Sequence, residues 1–162
     1  IYGYQTTNNI FNSPSGSISQ LKKIIVKEVQ AYRETFRSET NIFIENWPEI
    51  IFLQAWFVRL IKGGHQSPHI HPAGWLSGVC YLKTIQEPIG NEGAIEFGLD
   101  GYEYEEDGDN FPKILYEPQQ GDVVLFPSSL FHRTIPITSK TERWVIAFDL
   151  IPKKYFEMIM DK

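Results

Sequence analysis

Apolar residues fall at Leu21, Ile24, Ile25, Val29, Tyr32 and Phe36, with Lys22, Lys23, Lys27, Glu28, Arg33 and Glu34 between them. This spacing puts one apolar stripe on a helix. Ser17-Ile18-Ser19-Gln20 precedes it and fits a capping box, in which the Ser17 hydroxyl accepts from the Gln20 amide and the Gln20 side chain reaches back. The pattern predicts a helix over 17–38 whose stripe packs on a core. Residues 1–16 are polar and turn-rich, ending in Asn12-Ser13-Pro14-Ser15-Gly16, and read as an arm.

Beyond the helix the period drops from 3.6 to 2. Residues 50–61 are dense in β-formers and end at Gly63-Gly64. Further strands are predicted over 76–83, 92–98, 121–126 (closed by Pro127), 132–137 and 143–151. His69 to His71 forms a short extended piece between Pro68 and Pro72. Residues 100–110 are acidic and glycine-containing, and read as a long solvated loop that could serve as a lid together with the arm. A short helix is expected from Lys153. One long helix followed by short strands with turn signals predicts a mainly β fold, a jelly-roll or cupin-like barrel with the helix packed outside. A doubly wound α/β fold would need helices between the strands, and no later loop has helical periodicity of useful length. The whole chain, 1–162, reads as one domain, with 50–152 as the barrel core.

Composition narrows the picture. Hydrophobic residues make up 42% and aromatics 14%, too much for a disordered chain. The net charge of −5 disfavours a general nucleic-acid or anionic-membrane surface. No apolar run is long enough to span a bilayer. The one cysteine, Cys80, cannot form an intrachain disulfide, which fits a reducing cytoplasmic compartment. The chain begins with Ile1 rather than Met and carries no signal-peptide pattern, so it reads as part of a longer one. Oligomeric state is not readable.

The candidate chemistry lies in the strands. Side chains two apart share a face, so His69 and His71 project together and can grip one metal ion. In 76–83, Leu76, Gly78, Cys80 and Leu82 form a small apolar face suited to packing under the helix, which makes Cys80 a structural cysteine. Ser77, Val79 and Tyr81 point the other way, as pocket residues would. In 143–151, Trp144, Ile146, Phe148 and Leu150 are the bulky face. The opposite face carries Arg143, Val145, Ala147 and Asp149. An arginine turned into a barrel needs an anion. Pairing with Asp122 or Glu142, or simple exposure, is the plainer alternative. His132 is a third candidate ligand, and Trp56, Phe57 and Trp75 are candidate pocket aromatics.

The ordered set His69-x-His71-Pro72, Ser77-Gly78-x-x-Tyr81-Leu82, Leu125-Phe126-Pro127-Ser128…His132 and Arg143 resembles the 2-oxoglutarate/Fe(II)-dependent oxygenases over roughly residues 50–152. The resemblance implies a double-stranded β-helix with Fe(II) and 2-oxoglutarate as cofactors. His69 and His132 would be the two histidine ligands. Arg143 would bind the far carboxylate of 2-oxoglutarate beside Tyr81, with Ser77 and Thr134 lining that pocket. The superfamily's H-x-D/E carboxylate is His71 here. It is expected to ligate as a third imidazole; a two-histidine site, or a carboxylate such as Glu96, is the alternative. His65 is expected in solvent.

The implied reaction is hydroxylation of a small-molecule or peptide substrate with O2, releasing succinate and CO2. Two rivals remain at this point. One is a three-histidine dioxygenase without 2-oxoglutarate. The other is a non-catalytic cupin-like module that holds a metal or small acid.

Overall fold

The computed structural model describes residues 2–101 and 111–160. All of the expected lid after Gly101, including Tyr102 and Tyr104, lies outside the described residues.

The arm is more ordered than its composition suggests. It contains strand β1 (Gly3–Gln5), which pairs antiparallel with the next strand, and Phe11 is buried in the core. Helix α1 spans Gly16–Thr35 rather than 17–38. Its N-cap is Ser15, which makes no side-chain capping bond, and Ser17 already lies in the first turn. The expected capping box therefore does not form, because a cap residue must stand outside the helix to reach its free amides. The helix stops at Phe36, whose N–H bonds Tyr32 O and whose ring packs on Tyr32 at 4.8 Å. Ile25 is fully buried, while Ile24 sits half-exposed at the stripe's edge.

A short helix α2 (Ile42–Glu45), capped by Asn41 Oδ1 on Ile44 N, leads into β2 (Ile50–Ile61). Then come β3 (Gln66–His69), β4 (Leu76–Lys83), β5 (Ile95–Gly98), β6 (Ile114–Tyr116), β7 (Val123–Pro127), β8 (Phe131–Thr134) and β9 (Glu142–Pro152), and α3 (Lys153–Met160) closes the described chain. Strand β5 begins later than the expected residue 92. Glu92 to Ala94 turn instead, with Gly93 at φ 77° and the Glu92 carboxylate bound to residues 138–139.

The strands form two antiparallel sheets, ordered β1-β2-β9-β4-β7 and β3-β8-β5-β6. They face one another as a double-stranded β-helix. Two cores follow from the period-2 alternation. Leu76, Cys80, Ile146, Phe148 and Leu150 pack outward with Phe11 and Ile25, so α1 covers the back of the larger sheet. Val58, Val79, Tyr81, Ile95, Phe126 and Val145 fill the space between the sheets. Cys80 is buried in the outer core, and burial pushes its thiol up, as expected of a structural cysteine. Trp144 leaves the bulky set. It is partly exposed, edge-on to Phe57 and bonded through Nε1 to Glu142. No described helix is long and apolar enough to cross a membrane.

Candidate metal and cosubstrate site

Residue pairing brings the histidines together at one mouth of the barrel. His69 and His132 are direct cross-strand partners between β3 and β8, with ring centroids 4.3 Å apart. His71 lies past the end of β3. It is held by its own N–H donating to Ser128 O at the end of β7, and by the turn bond from Gly74 N to His71 O. Its ring stands 5.0 Å from His132 and 5.2 Å from His69. The three imidazoles thus converge with potential ligand atoms within 4.8 Å of one another.

Each ring is pinned at Nδ1. His69 Nδ1 meets Ser67 O at 2.7 Å, and His132 Nδ1 meets Leu130 O at 3.1 Å. A carbonyl only accepts, so Nδ1 carries the hydrogen and Nε2 keeps its lone pair free. His71 Nδ1 meets Asp149 Oδ1 at 2.6 Å, with the same consequence. Burial and the His69 ring push the His132 imidazole down to about 3, and burial lowers His69 as well. Both are therefore neutral near pH 7, the form that binds a metal.

Glu96 does not join the cluster. It pairs across the sheet with Arg133, Oε1 to Nε at 2.7 Å, so the expected carboxylate alternative is engaged elsewhere. His65 is exposed, as anticipated.

A cavity of about 280 Å³ runs inward from the histidines between the sheets, walled by Trp56, Gln66, Val79, Thr134 and Val145, and reaches Arg143. Arg143 is 2% exposed, and its Nε and Nη1 have no hydrogen-bond partner among the described residues. Neither acidic candidate neutralises it. Glu142 pairs outward with Arg59 at 2.7 Å, and Asp122 accepts from Tyr116 and Gln119. The Arg143 guanidinium carbon lies 4.9 Å from the Tyr81 ring centroid. The Tyr81 hydroxyl is itself buried and unpartnered. Burial pushes this phenol up against the opposing Arg143 charge.

Two buried donors without a protein acceptor suit an anion. A planar carboxylate fits the guanidinium fork. The donor sets therefore fit both groups: three converging imidazoles for Fe(II), and Arg143 with Tyr81 for a dicarboxylate's far end.

Thr134 lines the cavity, its hydroxyl donating to Gln66 at 3.3 Å. Ser77 does not. It is fully buried beneath His71, with its hydroxyl on Asp149 Oδ1 at 2.6 Å and 2.8 Å from Ser128 Oγ. The sequence pattern does not single out Asp149 and Ser128 as site residues, although Asp149 stands on the inward face with Arg143. Among the candidate aromatics, Trp56 borders the site, 5.6 Å from His71. Phe57 packs on Trp144 instead, and Trp75 stacks on Phe43.

Comparison with known proteins agrees with this fold. The family model described as "Putative 2OG-Fe(II) oxygenase" matches residues 54–149, more than half of the chain. A prolyl-4-hydroxylase from Pseudomonas putida superposes with a TM-score of 0.61 at 16% identity, over 92% of this chain and 67% of that one. HygX from Streptomyces hygroscopicus, with nickel and 2-oxoglutarate bound, superposes with a TM-score of 0.61 at 14% identity, over 93% and 70%. At these identities the likeness establishes the fold. No curated protein matches the sequence.

Proposed function

The chain belongs to the 2OG-Fe(II) oxygenase family, and from that premise we propose which of its residues carry each part of the work. The enzyme is an Fe(II)- and 2-oxoglutarate-dependent dioxygenase of the hydroxylase kind. Together, iron and cosubstrate supply the activation of O2 that converts 2-oxoglutarate to succinate and CO2 while oxygen is inserted into a substrate C–H bond.

His69, His71 and His132 are the protein ligands, each offering Nε2. Arg143 and Tyr81 would hold the far carboxylate of 2-oxoglutarate at the inner end of the cavity, and the histidines line its other end. Thr134 and Gln66 form the polar side wall, and Val79 and Val145 exclude water from the middle. The substrate, a small molecule or a peptide segment, approaches from outside. An open groove of about 700 Å³ passes His71 and shares Gln5 and Trp56 with the cavity. Apart from His71 and Asp149, none of the described residues that line it bears an ionisable side chain, which favours a neutral, hydrogen-bonding portion of substrate there.

The single observation that carries this reading is the buried, unpaired Arg143 at the far end of a cavity that begins at three histidines. It speaks against a cosubstrate-free three-histidine enzyme, in which that cation would have no anion. The test is anaerobic addition of Fe(II) and 2-oxoglutarate to the metal-free protein. A weak visible charge-transfer band requiring both components is expected, and Arg143→Ala should need far more 2-oxoglutarate to produce it. Tight iron binding with no band at any 2-oxoglutarate concentration would move the assignment to the cosubstrate-free enzyme or the binding module.

A further inference from the structure

The three histidines are not held alike. His69 and His132 donate through Nδ1 to backbone carbonyls, whereas His71 donates to a carboxylate. Asp149 is 7% exposed and sits in the middle of the larger sheet, directly opposite Ser77 on β4 and Gln54 on β2. Its Oδ1 accepts from both His71 Nδ1 and the Ser77 hydroxyl, each at 2.6 Å. With the Ser77 hydrogen so used, the Ser128 hydroxyl at 2.8 Å is left to donate to Ser77 Oγ. Ser128 is fully buried and also accepts the His71 N–H through its backbone carbonyl. Both ends of His71, backbone and ring, are thus tied to one buried network.

Space for this network is set by Gly74. A Cβ there would stand 2.5 Å from Ser128 Oγ and 3.4 Å from Asp149 Cβ, so the turn after His71 can close over the serines only with glycine. Gln5, Thr6, Trp56 and Ala73, the groove residues around His71, bring no other charge to it.

We propose that Asp149 is a positioning residue for the metal site, acting through His71. Its carboxylate fixes the tautomer that presents Nε2, and it supplies in the outer sphere the negative charge that a ligand set without a carboxylate lacks. The position two residues after the first histidine, where the superfamily carries a carboxylate, is thereby split between an imidazole that touches the metal and an aspartate behind it. A carboxylate on the remote nitrogen of a ligating histidine raises that ligand's basicity, and losing such a partner typically costs about 10–100-fold in metal affinity.

This inference rests on the three-histidine reading of the site, and the experiment separates the two. Co(II) is titrated into the full metal-free chain, with dissociation constants and d–d spectra recorded for wild type, His69→Ala, Asp149→Asn and Ser77→Ala. Asparagine keeps the shape and an acceptor oxygen but removes the charge. Asp149→Asn should bind Co(II) about 10–100-fold more weakly, with a shifted d–d spectrum, and Ser77→Ala should lose much less. Wild-type affinity in a folded Asp149→Asn, or an equal loss in Ser77→Ala, overturns the role of the carboxylate while leaving the histidine site standing. A wild type that binds no Co(II), or a His69→Ala that binds as well as wild type, overturns the site itself and this inference with it. If Asp149→Asn does not fold, the wild type decides. Nitrogen-15 spectra of histidine-labelled metal-free protein should show His71 protonated at Nδ1, and protonation at Nε2 would refute the proposal.

Discussion

Arg143 and Tyr81 meet inside the barrel as cation over ring, 4.9 Å apart, and each keeps a buried polar atom that no other described residue satisfies. Glu142, one residue before Arg143, is tied outward to Arg59, and its strand partner across β2 is Ile61. A buried unpaired cation is destabilising until an anion arrives. Arg143→Met should therefore raise the melting temperature of the cosubstrate-free protein by several degrees. The same variant should lose the further rise that 2-oxoglutarate gives wild type. At about a hundred times Kd that rise corresponds to about 2.7 kcal/mol, or roughly 5–10 °C for a chain of this size. Thermal melts with and without 2-oxoglutarate, at fixed metal, read both effects. A variant that melts lower than wild type and still responds to 2-oxoglutarate would remove Arg143 from the cosubstrate site.

His71 and Glu96 are rival candidates for the third ligand position, and the geometry separates them. His71 belongs to the converging cluster, while Glu96 is bound to Arg133. Glu96→Gln should leave Fe(II) affinity and the Fe(II)/2-oxoglutarate band unchanged, and cost no more than about 1 kcal/mol of stability, since the Arg133 side of the pair is partly exposed. His71→Ala, with circular dichroism confirming the fold, should abolish the band at Fe(II) concentrations that saturate wild type. Loss of the band in the Glu96 variant would reverse the assignment.

Period-2 alternation makes the two faces of β4 and β9 legible in the sequence alone. Cys80 and Phe148 fall under the helix, and Tyr81, Arg143 and Val145 fall between the sheets. The proximity of His69, His71 and His132 is likewise readable, although for a partly different reason. His71 is not carried by strand alternation, since β3 ends at His69; it is placed by the Ser128 carbonyl, a long-range contact. Contacts of that kind are what local sequence cannot express. Asp149 shows in the sequence only as an inward acid, and its partner emerges once β4 and β9 are in register with Ser77 opposite it. The short β1 and β6 escape the pattern because three-residue edge strands exist through pairing rather than propensity. The capping box fails because Ser15, not Ser17, stands at the helix boundary.

Register also predicts where the barrel tolerates no added volume. Gly78 lies opposite Phe148 on β9 and Leu125 on β7. A Cβ on Gly78 would stand 2.2 Å from Phe148 Cζ and 2.9 Å from a Leu125 methyl. Phe148 is fully buried in the core under α1, so its ring cannot move without displacing its neighbours. Gly78→Ala should destabilise the fold by about 1–3 kcal/mol. The double variant Gly78→Ala/Phe148→Leu should recover part of that loss, and urea unfolding of the single and double variants measures it. Simple addition of the two single effects would show that the clash is not what limits the site.

Glu92 clamps the loop before β5 to the loop before β9, far from the histidines in sequence and role. Its carboxylate accepts five hydrogen bonds, from Ile89 N, Thr138 N and Oγ1, and Ser139 N and Oγ. Burial alone would raise this carboxyl, but those donors outweigh it and hold it well below the usual carboxylate range. The sign follows from linkage. A carboxyl that is more acidic in the folded state adds stability at all pH above its unfolded value of about 4.3, and that contribution fades as pH falls further. Glu92→Gln leaves the shape but removes the charge and turns an accepting oxygen into a donor facing other donors. It should cost roughly 3 kcal/mol at pH 7. The gap between wild type and variant should stay constant from pH 7 to about pH 5 and shrink below about pH 4. Denaturant unfolding of both proteins across that range supplies the curve. A gap that widens on acidification would mean that Glu92 holds its proton more tightly when folded, the reverse of what its five donors require.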